Sequence, residues 1–192
     1  MNPGRPSTDA RRIVFLVGFM GSGKSWLARR ISEREGIPRY DLDEEIEKER
    51  GMSITDIFLI HGEEGFRKTE REVLERLCQR ILEGEGDSVS IEDRPLAVVA
   101  TGGGTPCFAD NMEWMNANGT TVWIDTPKDL LLERLKRGRD HRPLIRGLDD
   151  RALEAYVDSA MEMRSPHYAK AQVRWGSDGW EPLDLDKILE HA

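Results

Sequence analysis

Long apolar runs, cysteines and surplus positive charge are what this chain has little of. Its longest apolar runs reach about five residues, far short of the roughly 20 that cross a bilayer, so a membrane span is excluded. The opening residues, MNPGRPSTDARR, carry no apolar stretch of a secretory signal, and a cytoplasmic location is expected. Cys78 and Cys107 are the two cysteines, too few for a disulfide framework and without metal-ligand spacing, so both read as reduced thiols. Lys and Arg total 28 against 36 Asp and Glu, a net charge of −8. That balance argues against nucleic acid or an anionic membrane as the main partner. A small anionic ligand would instead need a local basic cluster. What remains, 192 residues with 38% hydrophobic and 33% charged, suits one soluble α/β domain with a genuine core. No repeat and no second domain is found, and a monomer is expected.

The most informative stretch is Gly18-Phe19-Met20-Gly21-Ser22-Gly23-Lys24-Ser25, which fits GxxxxGKS at every fixed position. It follows the apolar run Ile13–Val17 and precedes a helix-forming run, residues 26–35. A strand that ends in a glycine loop and opens a helix aims backbone N–H groups and the positive end of the helix dipole at one spot. A polyphosphate fits there, with Lys24 within reach of its β- and γ-phosphates and the Ser25 hydroxyl available to Mg²⁺.

Further along, Gly36 is a natural helix stop, and an extended piece at 37–40 delivers Asp41-Leu42-Asp43. Residues two apart in a strand share a face, so both aspartates could face one cleft beside the phosphate loop; alternatively Asp43-Glu44-Glu45 only supplies negative charge to the first turn of the next helix. Ser53 or Thr55 caps a short helix carrying Ile54, Ile57 and Phe58, and a longer helix from residue 63 presents Phe66, Val73, Leu74, Leu77 and Ile81 as a core face. Beside that face Arg67 and Glu70 lie three apart and can pair, which by itself is ordinary surface electrostatics. Residues 83–95 read as a surface loop. The run 96–100 reads as a buried strand ending in Thr101-Gly102-Gly103-Gly104, where a ligand lies against the main chain or a tight turn leads into a helix at 108–117. No aspartate closes this strand, so a metal would look to Ser25 and the Asp41–Asp43 pair. A fourth strand is expected at 120–124, then a helix opened by Pro127. The basic segment 136–145, forced out of helix before Pro143, is either a mobile flap lowering arginines onto phosphates or a solvated loop. A helix at 149–163 leads to Arg164-Ser165-Pro166-His167-Tyr168, followed by a fifth strand at 171–175 and a closing helix at 183–189. Strands separated by helices give an open parallel sheet with helices on both faces.

In combination, GFMGSGKS, Asp41-Leu42-Asp43, GEEGFRKTE, TGGG, RPLI and RSPHY, in this order, resemble shikimate kinase, in the nucleoside-monophosphate-kinase-like group of P-loop proteins. The resemblance runs from about Ile13 to Tyr168. It implies a single-domain, three-layer P-loop fold over residues 12–192 with a five-stranded parallel sheet, a flexible tail at 1–11 and a mobile lid near 136–148. It implies ATP and Mg²⁺ as cofactors and shikimate as the small-molecule substrate, phosphorylated to shikimate 3-phosphate on the way to chorismate. Gly21, Ser22, Gly23, Lys24 and Ser25 would hold the ATP phosphates, joined by the Trp26 backbone N–H, with Arg134 on the adenine side. Ser25 and Asp41 would organise the metal. Asp43 would hold the attacking hydroxyl, orienting it or accepting its proton, while Lys24 and Arg142 stabilise the transferring phosphoryl group. Arg67 and Arg164 would clamp the carboxylate, Glu70 would steady Arg67, and Gly102, Gly103 and Gly104 would meet the substrate along the main chain. Four features depart from the family: Trp26 stands where a small hydroxyl residue is usual, one extra residue lies between Arg134 and Arg142, residues 176–180 differ from the usual adenine-side loop, and residues 83–95 are longer. Two other readings are a kinase for another small hydroxy acid such as gluconate, and a catalytically silent binding module. Retention of Lys24, Asp43 and Arg142 together argues against the second.

Overall fold

A computed structural model describes residues 13–83, 97–139, 142 and 144–176. The expected tail, the 83–95 loop beyond Glu83, the segment at 177–180 and the closing helix at 183–189 lie outside the described residues. Five strands form one sheet in the order β2-β3-β1-β4-β5: β1 is Ile13–Val17, β2 Arg39–Asp41, β3 Ala97–Ala100, β4 Thr120–Asp125 and β5 Val173–Gly176. Every pairing is parallel. All of β1 is buried, as an unbroken apolar strand at the centre of a parallel sheet must be when both of its faces are covered. Alternation divides the core. Ile13, Phe15 and Val17 join Ala97, Val99 and Trp123 on one face, whereas Val14 and Leu16 join Val98, Ala100, Val122 and Ile124 on the other.

Among the described residues six α-helices connect and cover these strands: α1 Lys24–Glu35, α2 Leu42–Arg50, α3 Ile54–Leu82, α4 Asn111–Asn118, α5 Lys128–Arg137 and α6 Asp150–Tyr168. Helix α1 packs Leu27, Ala28 and Ile31 on the second face, and the other five bury their apolar sides on the first, giving the expected three layers. Because β3 and β1 lead their crossovers to opposite faces, the chain diverges at the carboxyl ends of the strands. Open α/β sheets place ligands at such a point. Among the described residues no helix is long and apolar enough to cross a membrane.

The two helices expected around residues 53–82 are both present within the span α3, separated as expected by a kink at Gly62, where φ is 66° and ψ −175°. Other boundaries differ from the sequence expectation. β2 stops at Asp41, so Asp43 belongs to the first turn of α2 rather than to a strand, and Asp41 caps that helix by accepting the Asp43 N–H at 3.1 Å. Before α4 the chain makes a short 3-10 turn, Thr105–Cys107. Helix α6 does not end before Pro166 but carries it inside its last turns, which puts Arg164 and Tyr168 four apart on one helical face. β5 is shifted to Val173–Gly176.

Gly119, directly after α4, has an extended φ of 179° that any residue could adopt. What it lacks is space: a Cβ there would collide with the Ile13 carbonyl and lie 2.6 Å from the Phe15 ring. Gly119→Ala therefore lowers stability by about 1–3 kcal/mol through overpacking against β1. Urea unfolding checks this, with a lower midpoint and an unchanged m-value as the expected result.

Candidate active site

The loop between β1 and α1 is shaped by glycines: Gly18, Gly21 and Gly23 have φ of 137°, 81° and 103°. A side chain at Gly18 would also press within 2.8 Å of the Ile124 carbonyl. Cations hold the loop's carbonyls. The Lys24 ammonium donates to the Gly18 and Phe19 carbonyls at 2.8 and 2.9 Å. From the other side, the Arg134 guanidinium donates to the Gly21 and Ser22 carbonyls at 3.1 and 3.0 Å. With these oxygens engaged, the loop's N–H groups and the amino end of α1 form an anion cradle. Lys24 is buried, and burial pushes its pKa down to about 8, against the opposing pull of the Asp43 and Asp41 carboxylates.

A cleft of about 630 Å³ opens over this cradle, lined by Gly21, Gly23, Lys24, Ser25, Trp26, Arg134 and Arg142. Ser22 is buried beneath the loop, not on the cleft wall. The Ser25 hydroxyl donates to Asp41 at 2.5 Å, so these two oxygens lie side by side at the cradle's edge. A second cleft of about 400 Å³ adjoins it, and Arg142 lines both. Here the three distant arginines meet: Arg67 from α3, Arg164 from α6 and Arg142 from the segment between α5 and α6. Asp43 and Gly102, Gly103 and Gly104 share the same wall.

Burial, together with the Asp41 and Glu70 carboxylates, raises Asp43 to about 7, and Lys24 and Arg67 limit the rise. Arg67 and Glu70 are no surface pair. Glu70 is fully buried and accepts from the Arg67 guanidinium at 2.8 Å on one oxygen and from the Thr105 hydroxyl at 2.5 Å on the other. The glycine run is small for this reason: a Cβ at Gly104 would strike the Arg67 guanidinium, and one at Gly102 would lie 2.6 Å from Glu70. Tyr168, wholly buried, donates to the Gly103 carbonyl at 2.5 Å and so ties the glycine run to α6. The Arg164 guanidinium stands 5.5 Å from the Phe19 ring centroid, which carries α6 against the phosphate loop. Arg142 is half-buried, its pKa is lowered by that burial, and its Nη1 has no hydrogen-bond partner among the described residues.

All the residues expected at the site except Ser22 and Asp41 line one of the two clefts. Asp41 stands at the rim and acts through Ser25 and the α2 cap. Sequence reasoning gave no role to Thr105, Tyr168 or Phe58. Thr105 directly follows the glycine run and Tyr168 closes the Arg164 motif, so adjacency was the available signal for both. Phe58 was placed only on a short helix, yet it lines the substrate-sized cleft and stacks on Phe66 with ring centroids 4.4 Å apart. Met20, Ile54 and Leu144 add to that apolar wall.

The family model for shikimate kinase matches residues 20–191. The shikimate kinase of Bacteroides thetaiotaomicron is 36% identical over 168 residues, 88% of this chain and 88% of that protein. That of Persephonella marina is 38% identical over 174 residues, 91% of this chain and 94% of that protein. Among solved structures, Acinetobacter baumannii shikimate kinase in complex with shikimate superposes with a TM-score of 0.75 at 32% identity, covering 95% of this chain and 93% of that one.

Removing the acid from the buried pair leaves the Arg67 guanidinium with the exposed Glu63 carboxylate at 3.6 Å, so Glu70→Ala lowers stability by up to about 3–5 kcal/mol. Breaking the exposed Arg50–Glu72 pair, 2.7 Å apart, changes stability by less than about 1 kcal/mol. Parallel denaturant melts of Glu70→Ala and Arg50→Ala measure the contrast, and equal losses would contradict it.

Proposed function

The chain belongs to the shikimate kinase family, and from that membership we propose that it transfers the γ-phosphoryl group of ATP to shikimate, giving ADP and shikimate 3-phosphate for aromatic amino-acid biosynthesis. The observation that carries this reading is that Arg67, Arg164 and Asp43 line one small cleft that shares Arg142 with the phosphate cradle. A compact ring bearing a carboxylate at one end and hydroxyls at the other suits that layout. Two guanidiniums can each donate paired hydrogen bonds to a planar carboxylate. Phe58 and Phe66 offer the carbon face of a ring an apolar wall, and the main chain of Gly102 to Gly104 lets the ring approach closely.

In this reading Asp43 accepts a hydrogen bond from the attacking hydroxyl and can take its proton, since a carboxyl poised near neutrality is matched to that task. Gly21 to Ser25 and the Trp26 N–H hold the phosphates, and Arg134 flanks the nucleotide. Lys24 leaves the Gly18 and Phe19 carbonyls for the β- and γ-phosphates. Arg142, carried on the lid near 136–148, donates to the transferring group. Ile145, fully buried, anchors that lid to the core. Phosphoryl transfer needs alignment and charge stabilisation, and the chain supplies both without a covalent intermediate. Lid closure excludes water that would otherwise compete for the phosphoryl group.

The Ser25 and Asp41 oxygens fit Mg²⁺, which takes few protein ligands and completes its shell with substrate phosphates and water. When bound, the ion neutralises phosphate charge.

A coupled ADP-release assay across shikimate, quinate and gluconate tests the reading. Preferential turnover of shikimate is expected, preference for gluconate reassigns the substrate, and no turnover with any of them leaves a binding module. Arg67→Ala raises the shikimate KM by roughly 10- to 100-fold with a smaller change in kcat, because two charge-assisted hydrogen bonds are lost. Lys24→Ala instead lowers kcat by roughly 100-fold or more. The pH profile of kcat/KM carries a sign on each limb. Asp43 works ionised, so the rate falls as pH drops through about 7, and Lys24 works charged, so it falls as pH rises through about 8. A profile without an acid limb near neutrality removes Asp43 from the role of base.

A further inference from the structure

The geometry points to Trp26 as the residue that receives the nucleoside, its indole meeting the base ring face to ring face. This rests on the reading that a nucleotide occupies the larger cleft. Among the described residues that line it, the glycines, Lys24, Ser25, Arg134 and Arg142 offer backbone, hydroxyl and positive charge, and Trp26 alone offers an aromatic surface. A polyphosphate uses the first set and has no use for an indole. A flat heterocycle has.

Position supports the assignment. Trp26 lies in the first turn of α1, immediately after Ser25, and lines the cleft together with Gly21, Gly23 and Lys24 of the phosphate loop. With the terminal phosphates near Lys24, the nucleoside end of the ligand leaves the cradle past Ser25 and reaches this ring. The cleft, about 630 Å³, falls within the size range of sites for whole cofactors. Trp26 is 52% exposed, whereas Trp123 in the sheet is 8% exposed, so the indole is displayed rather than spent on the core. The Arg30 guanidinium, one helical turn on, sits 5.9 Å from the ring centroid and orients it. Stacking on a ring face does not read hydrogen-bonding edges, so adenine and guanine nucleotides depend on Trp26 alike.

Calorimetric titration of the full chain with ADP, GDP and inorganic tripolyphosphate, using wild type, Trp26→Ser and Trp26→Phe, tests the assignment. Trp26→Ser weakens ADP and GDP roughly tenfold, Trp26→Phe restores most of that loss, and tripolyphosphate binds all three proteins alike. Unchanged or tighter ADP binding to Trp26→Ser overturns the assignment, as does a parallel loss of tripolyphosphate, which would place the effect in the loop itself. Wild type that binds neither ADP nor tripolyphosphate would bring down the kinase reading and this inference together, whereas ADP binding that is indifferent to Trp26→Ser removes only the inference.

Discussion

A single buried guanidinium–carboxylate pair holds three elements together at the mouth of the sheet. Glu70 spends one oxygen on Arg67 of its own helix and the other on Thr105, beyond β3. Asn111 extends the link by donating to the Thr105 carbonyl at 2.8 Å, which fixes the entry to α4. A pair of this kind adds little net stability because both charges are desolvated, but it tolerates few alternative arrangements. The glycine run follows from it, since Glu70 and Arg67 occupy the space that side chains at Gly102 and Gly104 would need. Tyr168 then grips the same run through Gly103, and α6 arrives with Arg164 already aimed at the cleft.

That arrangement gathers positive charge in a chain whose net charge is −8. Lys24, Arg67, Arg142 and Arg164 line two adjoining clefts, with Asp43 among the carboxylates that share the smaller one. The same loss of water moves Lys24 down and Asp43 up, so both come close to neutrality from opposite sides. Such groups change protonation readily when a charged ligand enters.

The sheet was legible because buried parallel strands read as unbroken apolar runs, and the phosphate loop because its glycines, Lys24 and Ser25 fall at fixed spacing between a strand and a helix. Strand order was not legible, since each β-rich run fits beside any other until crossovers are drawn. Arg67 and Glu70 looked like a surface pair, and nothing local marked them as buried; only the later elements that cover them do so. Asp41 and Asp43 do lie at the site, but for a different reason from the one spacing suggested. A helix cap, not strand alternation, orients them. Helix α6 outlasted its expected end: Pro166 sits inside it and forgoes one helix donor, while Tyr168, in the turn beyond, is held by its hydrogen bond to the Gly103 carbonyl. Thr105 and Tyr168 were invisible as partners because their targets, a distant carboxylate and a backbone carbonyl, have no sequence signature.

Arg142 shows how the fold can favour the reacting state over the resting one. Its Nη1 is buried without a partner among the described residues, and a side chain at Gly21 would come within 3.7 Å of it. A buried donor left unpaired costs about 1–3 kcal/mol. Supplying an acceptor there relieves the cost, and an acceptor that gains negative charge relieves more of it. Arg142 lines both clefts, at the junction where the proposed reaction would pass a phosphoryl group between its two oxygen partners. Binding energy withheld from the ground state is thereby available where charge is shared between donor and acceptor, which is the condition for raising kcat rather than merely lowering KM.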